Sequence, residues 1–174
     1  SQVLIMNSRL IGDRQALIVR GGKTMLMNSE LVATGAFENK DAYTTSEWKN
    51  GNEVPTAALI VGDRQSGYKE FDTFVYAMNT IISTPEGVKD IYAYNDAMDI
   101  GVKVGVMFDY YDGDSSKVVL GEAVRAKLGE VRAITTLNGF QCFDLQEAID
   151  NTVPQGGMED ERIQLILYPG NFQL

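Results

Sequence analysis

Histidine is absent from this chain of 174 residues. With it go the commonest general base, the usual partner of a serine or cysteine nucleophile, and the favoured zinc ligand. Most hydrolase templates therefore cannot be assembled. Cysteine occurs once, as Cys142, so no intrachain disulfide can form, and the chain reads as the product of a reducing compartment. Lying between Phe140 and Phe143 in an expected strand, Cys142 is read as an inert core residue rather than a nucleophile. Long apolar runs are missing too: Val3 to Met6, Ala16 to Val19 and Ala57 to Val61 are far short of the roughly 20 residues that cross a bilayer. No membrane association is expected, and the N-terminus shows neither a basic leader nor an apolar core of a signal peptide. No Asn-x-Ser/Thr site is found, because Asn7, Asn28, Asn79 and Asn151 carry their hydroxyl residue one place too early.

Positive charge is also scarce. Fifteen basic side chains stand against twenty-four acidic ones, a formal net charge of −9, and the cations are dispersed. A nucleic-acid-binding face needs phosphate-neutralising cations gathered in one place, so specific binding of DNA or RNA is not expected. An acidic surface would instead let a polyanion pass without adhering.

What is present is ordinary for a globular protein, with 44% hydrophobic and 22% charged residues. The length fits one domain over residues 1–174. Short apolar runs broken by turn residues fill the first thirty positions: Val3 to Met6, Arg9 to Ile11, Ala16 to Arg20 and Thr24 to Met27, separated at Gly12 to Gln15 and at Gly21-Gly22. This spacing predicts antiparallel hairpins. A polar excursion follows at 37–55, long enough to be functional or extended by contact with something else. It contains Tyr43 and the only tryptophan, Trp48, large aromatics suited to anchoring an inter-subunit contact. Folding back onto their own core is the alternative for both.

Further strands are expected at Thr56 to Val61, across Glu70 to Ser83, and at Ile100 to Tyr110, where alternation is strict. Thr84-Pro85-Glu86 has the order of a helix start, with Val88, Ile91 and Tyr92 on one face and Gly101 as the stop. Strands at Lys117 to Leu120, Val124 to Leu128 and Val131 to Leu137 follow. Asn138-Gly139 then marks a hairpin, Asp144 caps a short helix, and Arg162 to Tyr168 forms a last strand. The fold class is therefore mainly β (α+β): a β-barrel or sandwich of about eight to ten strands with one or two short helices. Leu10 to Gln15 recurs as Ile60 to Gln65, which reads as a recurrent strand-to-turn corner whose Asp accepts backbone N–H bonds.

Three local patterns test for chemistry. Gly21-Gly22-Lys23-Thr24 resembles the end of a phosphate-binding loop, but Leu17 stands where its first glycine belongs and no helix is expected to follow. Asp109, Asp112 and Asp114 could offer oxygens to a hard cation, yet Leu120 occupies the closing carboxylate's place in a calcium loop. Paired carboxylates for hydrolysis or isomerisation would show themselves as two acids of divergent character in a deep pocket. No catalytic residue, metal site or cofactor is assigned, and an enzyme is not expected.

Abundant strands, a long loop with aromatics, acidic character and a terminal strand together resemble the tail-tube proteins of bacteriophages and contractile injection systems. The resemblance is one of size and order of elements across the chain, and no functional residue follows from it. It implies a self-assembling virion subunit that partners copies of itself or other virion proteins and is assembled in the host cytoplasm. A capsid decoration protein, a carboxylate-based enzyme and a small-ligand-binding barrel with its cavity at the Gly101 and Gly105 face are the alternatives.

Overall fold

The computed structural model describes residues 1–36, 56–66, 69–129, 133–135 and 165–167. The fold is mainly β, as expected, but among the described residues the strands of its three larger sheets stack in parallel and close no barrel. Three sheets run along a common axis. The first contains β1 (Gln2–Met6), β4 (Gly22–Met27), β9 (Thr73–Met78), β12 (Val104–Phe108) and β14 (Val124–Leu128), in that order. The second contains β2 (Arg9–Gly12), β5 (Glu30–Ala33) and β10 (Ile81–Ser83); the third contains β3 (Leu17–Arg20), β6 (Ala57–Gly62), β11 (Lys89–Tyr94) and β13 (Val118–Leu120). Three times the chain visits first, second and third sheet in turn and then begins again one layer along; in the fourth round it passes from β12 of the first sheet to β13 of the third. This is a parallel β-solenoid, each turn of which is a coil.

The expected hairpins are thus coil corners. A two-residue turn that reads as a hairpin can equally pass a strand to the next face of a prism, and the local sequence does not distinguish the two. Antiparallel pairing is confined, among the described residues, to β7 (Arg64–Ser66) with β8 (Lys69–Phe71), and β15 (Ala133–Thr135) with β16 (Leu165–Leu167). The helix expected after Pro85 is absent. Gly87 turns the chain at φ +80°, and β11 follows, directing Ile91 and Ala93 into the core while Tyr92 and Tyr94 pack in a separate cluster. The period-two alternation of these four residues prevails over the helical spacing because a neighbouring strand lies on each side of β11. The long strand expected over Glu70 to Ser83 is interrupted at Asn79, where the chain turns from the first sheet to the second. Asn138-Gly139, the Asp144 helix, Cys142, Tyr43 and Trp48 lie outside the described residues.

Stacking in register builds the core. Ile5, Leu26, Ala77, Phe108 and Leu128 form one ladder along the first sheet, and Leu17, Leu59, Ile91 and Val118 another along the third. The central members are fully buried. At about 25 cal/mol per Å² of apolar surface withdrawn from water, these ladders are the main attractive contribution to the fold.

Corners repeat as well as strands. Asn7, Asn28 and Asn79 each follow a methionine and precede Ser or Thr, and each adopts the left-handed conformation at φ 50°, 48° and 46°. Asparagine tolerates this region better than most residues. The Asn79 side-chain amide donates to Asn28 Oδ1 at 2.7 Å, and Asn28 N–H donates to the Met78 carbonyl at 3.0 Å. In the fourth coil Asp109 takes over, its carboxylate accepting Asn79 N–H at 3.0 and 3.2 Å. At the opposite corner buried Thr73 accepts Gly21 N–H and donates to the Gly62 carbonyl, both at 2.7 Å. One hydroxyl thereby ties the corner at Gly21 to both ends of the next one, Gly62 and Thr73.

Candidate functional site

Two features stand apart from the repeating body: a cleft at the corner leading into the first sheet, and the first coil itself. The cleft has a volume of about 810 Å³, and its lining includes Gly21, Gly22, Lys23, Arg64, Glu70, Asp72, Asp99 and Gly101. Phe71 also contributes, 42% exposed. Gly101, named from sequence as a place to look for a cavity, does line this opening. Gly105 lies in β12 and is not among the lining residues.

The carboxylates of the cleft are already engaged by backbone amides. Glu70 accepts Met98 N–H at 2.9 Å and Asp99 N–H at 2.7 Å, while Asp72 accepts Lys103 N–H at 2.8 Å. Asp99 accepts Gly101 N–H at 2.8 Å. Glu70 and Asp72 are brackets that hold the next coil's backbone, and Asp63 does the same for Asp96 N–H at 2.8 Å. Burial lowers the pKa of the Lys23 ammonium, with the Asp72 charge partly opposing the shift. The glycine turn is likewise occupied. Gly22 N–H donates to the Asp72 carbonyl at 2.8 Å and Lys23 N–H to the Ser1 carbonyl at 3.0 Å. These amides are committed to strand stacking, and β4 follows where a phosphate loop would place a helix.

The three aspartates considered as oxygen donors serve separate local bonds. Asp109 holds the Asn79 amide, Asp112 accepts the Tyr110 hydroxyl at 3.1 Å, and Asp114 accepts Ser116 N–H at 2.8 Å. The hydrogen bonds from Ser116 hold the Asp114 carboxyl below its usual pKa. Among the described residues no three acidic or cysteine side chains are grouped to hold a metal ion, and no helix is long and apolar enough to cross a membrane. The loop instead docks through Tyr111, whose hydroxyl donates to buried Asp90 at 2.8 Å. Asp90 also accepts the Thr84 hydroxyl, and Lys117 Nζ donates to the Thr84 carbonyl and hydroxyl at 3.0 Å.

Tyrosines tie this body to pH. Burial raises Tyr94 to about 12 from its ordinary 10.0, and burial together with the Asp90 hydrogen bond raises Tyr111 further. A phenol whose folded pKa exceeds its unfolded value contributes stability that is complete below pH 10 and is lost as pH rises through the folded pKa. The expected result is a loss of about 1–2 kcal/mol for Tyr94 between roughly pH 10 and 12, allowing for solvent screening. Denaturant unfolding followed across that range checks it, and Tyr94→Phe should flatten the decline. A decline of equal slope in the variant would rule Tyr94 out as its source.

The first coil is different in character. Here five large apolar strand residues, Val3, Leu4, Met6, Ile11 and Ile18, are between 43% and 57% exposed, against Ile81 in β10 and Leu120 in β13 at the opposite end members. β1, β2 and β3 are the end members of their sheets, so among the described strands each is paired along one edge only. Sequence reasoning missed this surface, because an end strand and an interior strand share the same alternation.

No family model, no curated protein and no solved structure matches this chain.

The arrangement offers a polar cleft whose acids are structural and an apolar coil end whose strand edges face outward.

Proposed function

We propose that the protein is a self-associating structural subunit that assembles through the open end of its first coil. The observation that carries this reading is the set of five large exposed apolar side chains on three sheet-edge strands. Exposed strand edges pair readily with other strands, and proteins that remain apart block them with charge, proline or a covering segment. β1 has no charged residue and no proline. The engagement of the cleft carboxylates by backbone amides supports the same reading over a carboxylate-based enzyme.

The setting expected from sequence, a virion assembled in the host cytoplasm, belongs to this proposal, and the net charge of −9 fits a subunit past which nucleic acid slides. The tail-tube form of the idea assumed a barrel with a helix. The described residues form an open-ended solenoid, so the reading carried forward is a subunit that joins its own kind through strand edges.

Light-scattering mass measured against concentration tests it. The expected result is a mass above the 19.2 kDa of one chain that falls to the single-chain value in Leu4→Lys. Because Leu4 is half exposed, that change leaves the fold intact. A 19.2 kDa species at every concentration overturns the proposal.

A further inference from the structure

Resting on that reading, we infer that the partner of the first coil is the first coil of a second copy, turned about a two-fold axis through Leu4 so that the ends meet face to face. The two ends of the solenoid are unequal. The first coil presents a complete set of edges, one from each sheet. At the other end the first sheet extends to a fifth strand, the third sheet to a fourth, and the second sheet stops at β10, its third. Head-to-tail stacking would leave β2 without an opposite edge among the described residues. Among the described residues, three edges at one level are offered by the first coil alone, and so by that of a second copy.

The side-chain pattern agrees with this rotation. A two-fold axis normal to the first sheet pairs β1 with its own copy in antiparallel fashion, setting Leu4 opposite Leu4, Val3 opposite Ile5 and Gln2 opposite Met6. It also exchanges the other two faces, so β2 of one copy meets β3 of the other. Leu10 then opposes Val19, and Ile11 opposes Ile18. Ile5, Leu10, Leu17 and Val19 pack with the core, whereas Leu4, Ile11 and Ile18 are among the exposed residues. Leu10 with Val19 pairs inward residues, and Leu4 with Leu4 and Ile11 with Ile18 pair outward ones. Val3, 48% exposed but on the face of Ile5 by alternation, meets Ile5, while Leu17 meets Gly12; both apolar surfaces thus continue across the junction. A slip of one position would reverse this match.

Charge and size fit as well. β1 pairs with itself without juxtaposing charges. Arg9 approaches Arg20 of the other copy, but Arg9 already holds Glu30 at 2.6 Å and Arg20 Nε donates to the Asp63 carbonyl at 3.3 Å. The residual repulsion makes association strengthen as salt is raised. The coil from Gln2 to Arg20 is close to the roughly 20–30 residues a side of a standard interface. Three antiparallel edge pairings supply on the order of the ten direct hydrogen bonds such interfaces carry.

Cysteine cross-linking of the full chain, in a Cys142→Ser background, separates the possibilities. Directly opposed residues of an antiparallel pair have Cβ atoms roughly 4.5–5.5 Å apart, within reach of a disulfide after small adjustment. Leu4→Cys is expected to oxidise to a covalent dimer by itself. Ile11→Cys and Ile18→Cys should each remain single chains alone and cross-link when the two variants are mixed. A larger mass in solution without the Leu4→Cys dimer overturns the face-to-face arrangement and leaves self-association standing. A single-chain mass throughout overturns both.

Discussion

Replacing Phe108 by alanine is expected to lower the unfolding free energy by about 3–5 kcal/mol. Phe108 is fully buried in β12, in register between Ala77 of one coil and Leu128 of the next. Its ring meets the edge of Tyr111 at 6.1 Å with an interplanar angle of 70°. Deleting the ring removes its transfer free energy and leaves a hole that neighbours cannot refill. Ala77 is too short to reach it, and the backbone on both sides is fixed by the parallel ladder. The loss of the Tyr111 contact also weakens the docking of the 109–117 loop onto Asp90. Because each coil rests chiefly on its neighbours, stability in such a fold is approximately a sum of coil and junction contributions. The damage should therefore concentrate at the fourth coil, and denaturant unfolding should broaden as well as shift. Leu4→Ala, at a half-exposed position, should cost under about 1 kcal/mol. Equal effects from the two substitutions would contradict the assignment of one to the core and the other to the open end.

The positions of the strands could be read from sequence much better than their partners. Val3 to Met6, Arg9 to Ile11, Thr24 to Met27, Thr56 to Val61 and Val124 to Leu128 all coincide with strands to within a residue or two. Alternation is a local property, fixed by which face of a strand meets the core. Pairing is not local. In an even solenoid a constant repeat would reveal it, but here Gln2 stacks on Lys23, Lys23 on Phe74, and Phe74 on Gly105. The polar excursion at 37–55 and the β7–β8 hairpin both fall between Lys23 and Phe74, and the residues between β11 and β12 lengthen the next interval, which together hide a period near twenty residues. The repeat that was visible, Leu10 to Gln15 with Ile60 to Gln65, joins places that are not equivalent. Leu10 belongs to β2 and Ile60 to β6, on different sheets. What the two segments share is the corner, where Asp13 accepts the Thr34 hydroxyl and Asp63 accepts Asp96 N–H.

The same division holds for the sites. That Gly21-Gly22-Lys23-Thr24 is a turn rather than a phosphate cradle follows from a missing glycine and a following strand, both local facts. That Glu70 and Asp72 secure the neighbouring coil, or that β1 has a single neighbour among the described strands, depends on which strand lies next door. An acid in a bracket and an acid in an active site have the same sequence signature. The helix expected after Thr84 shows how a correct reading of residue types can still fail. Thr84 does use its hydroxyl, but to donate to Asp90 across the turn between β10 and β11 rather than to cap a helix.

Substituting Asn28 by alanine is expected to cost about 2–3 kcal/mol, although the residue is exposed and touches no apolar core. Two effects combine. Alanine in the left-handed region, which Asn28 occupies at φ 48°, costs roughly 1–2 kcal/mol. Loss of the acceptor for the Asn79 amide removes a hydrogen bond worth about 1 kcal/mol. Glycine separates the two contributions, since it accepts the backbone angle freely but supplies no amide. Asn28→Gly should therefore recover about half of the loss. Denaturant midpoints of the two variants beside the parent protein provide the comparison. If Asn28→Gly and Asn28→Ala fall together, the side-chain ladder alone holds the corner; if glycine matches the parent, the backbone angle alone does. The expected intermediate value would establish that both reasons act at Asn28. Asn7-Ser8, Asn28-Ser29 and Asn79-Thr80, three of the pairs that fail as glycosylation sites, are the clearest trace of the coil repeat in the sequence: each of these three marks the point where the chain leaves the first sheet for the second.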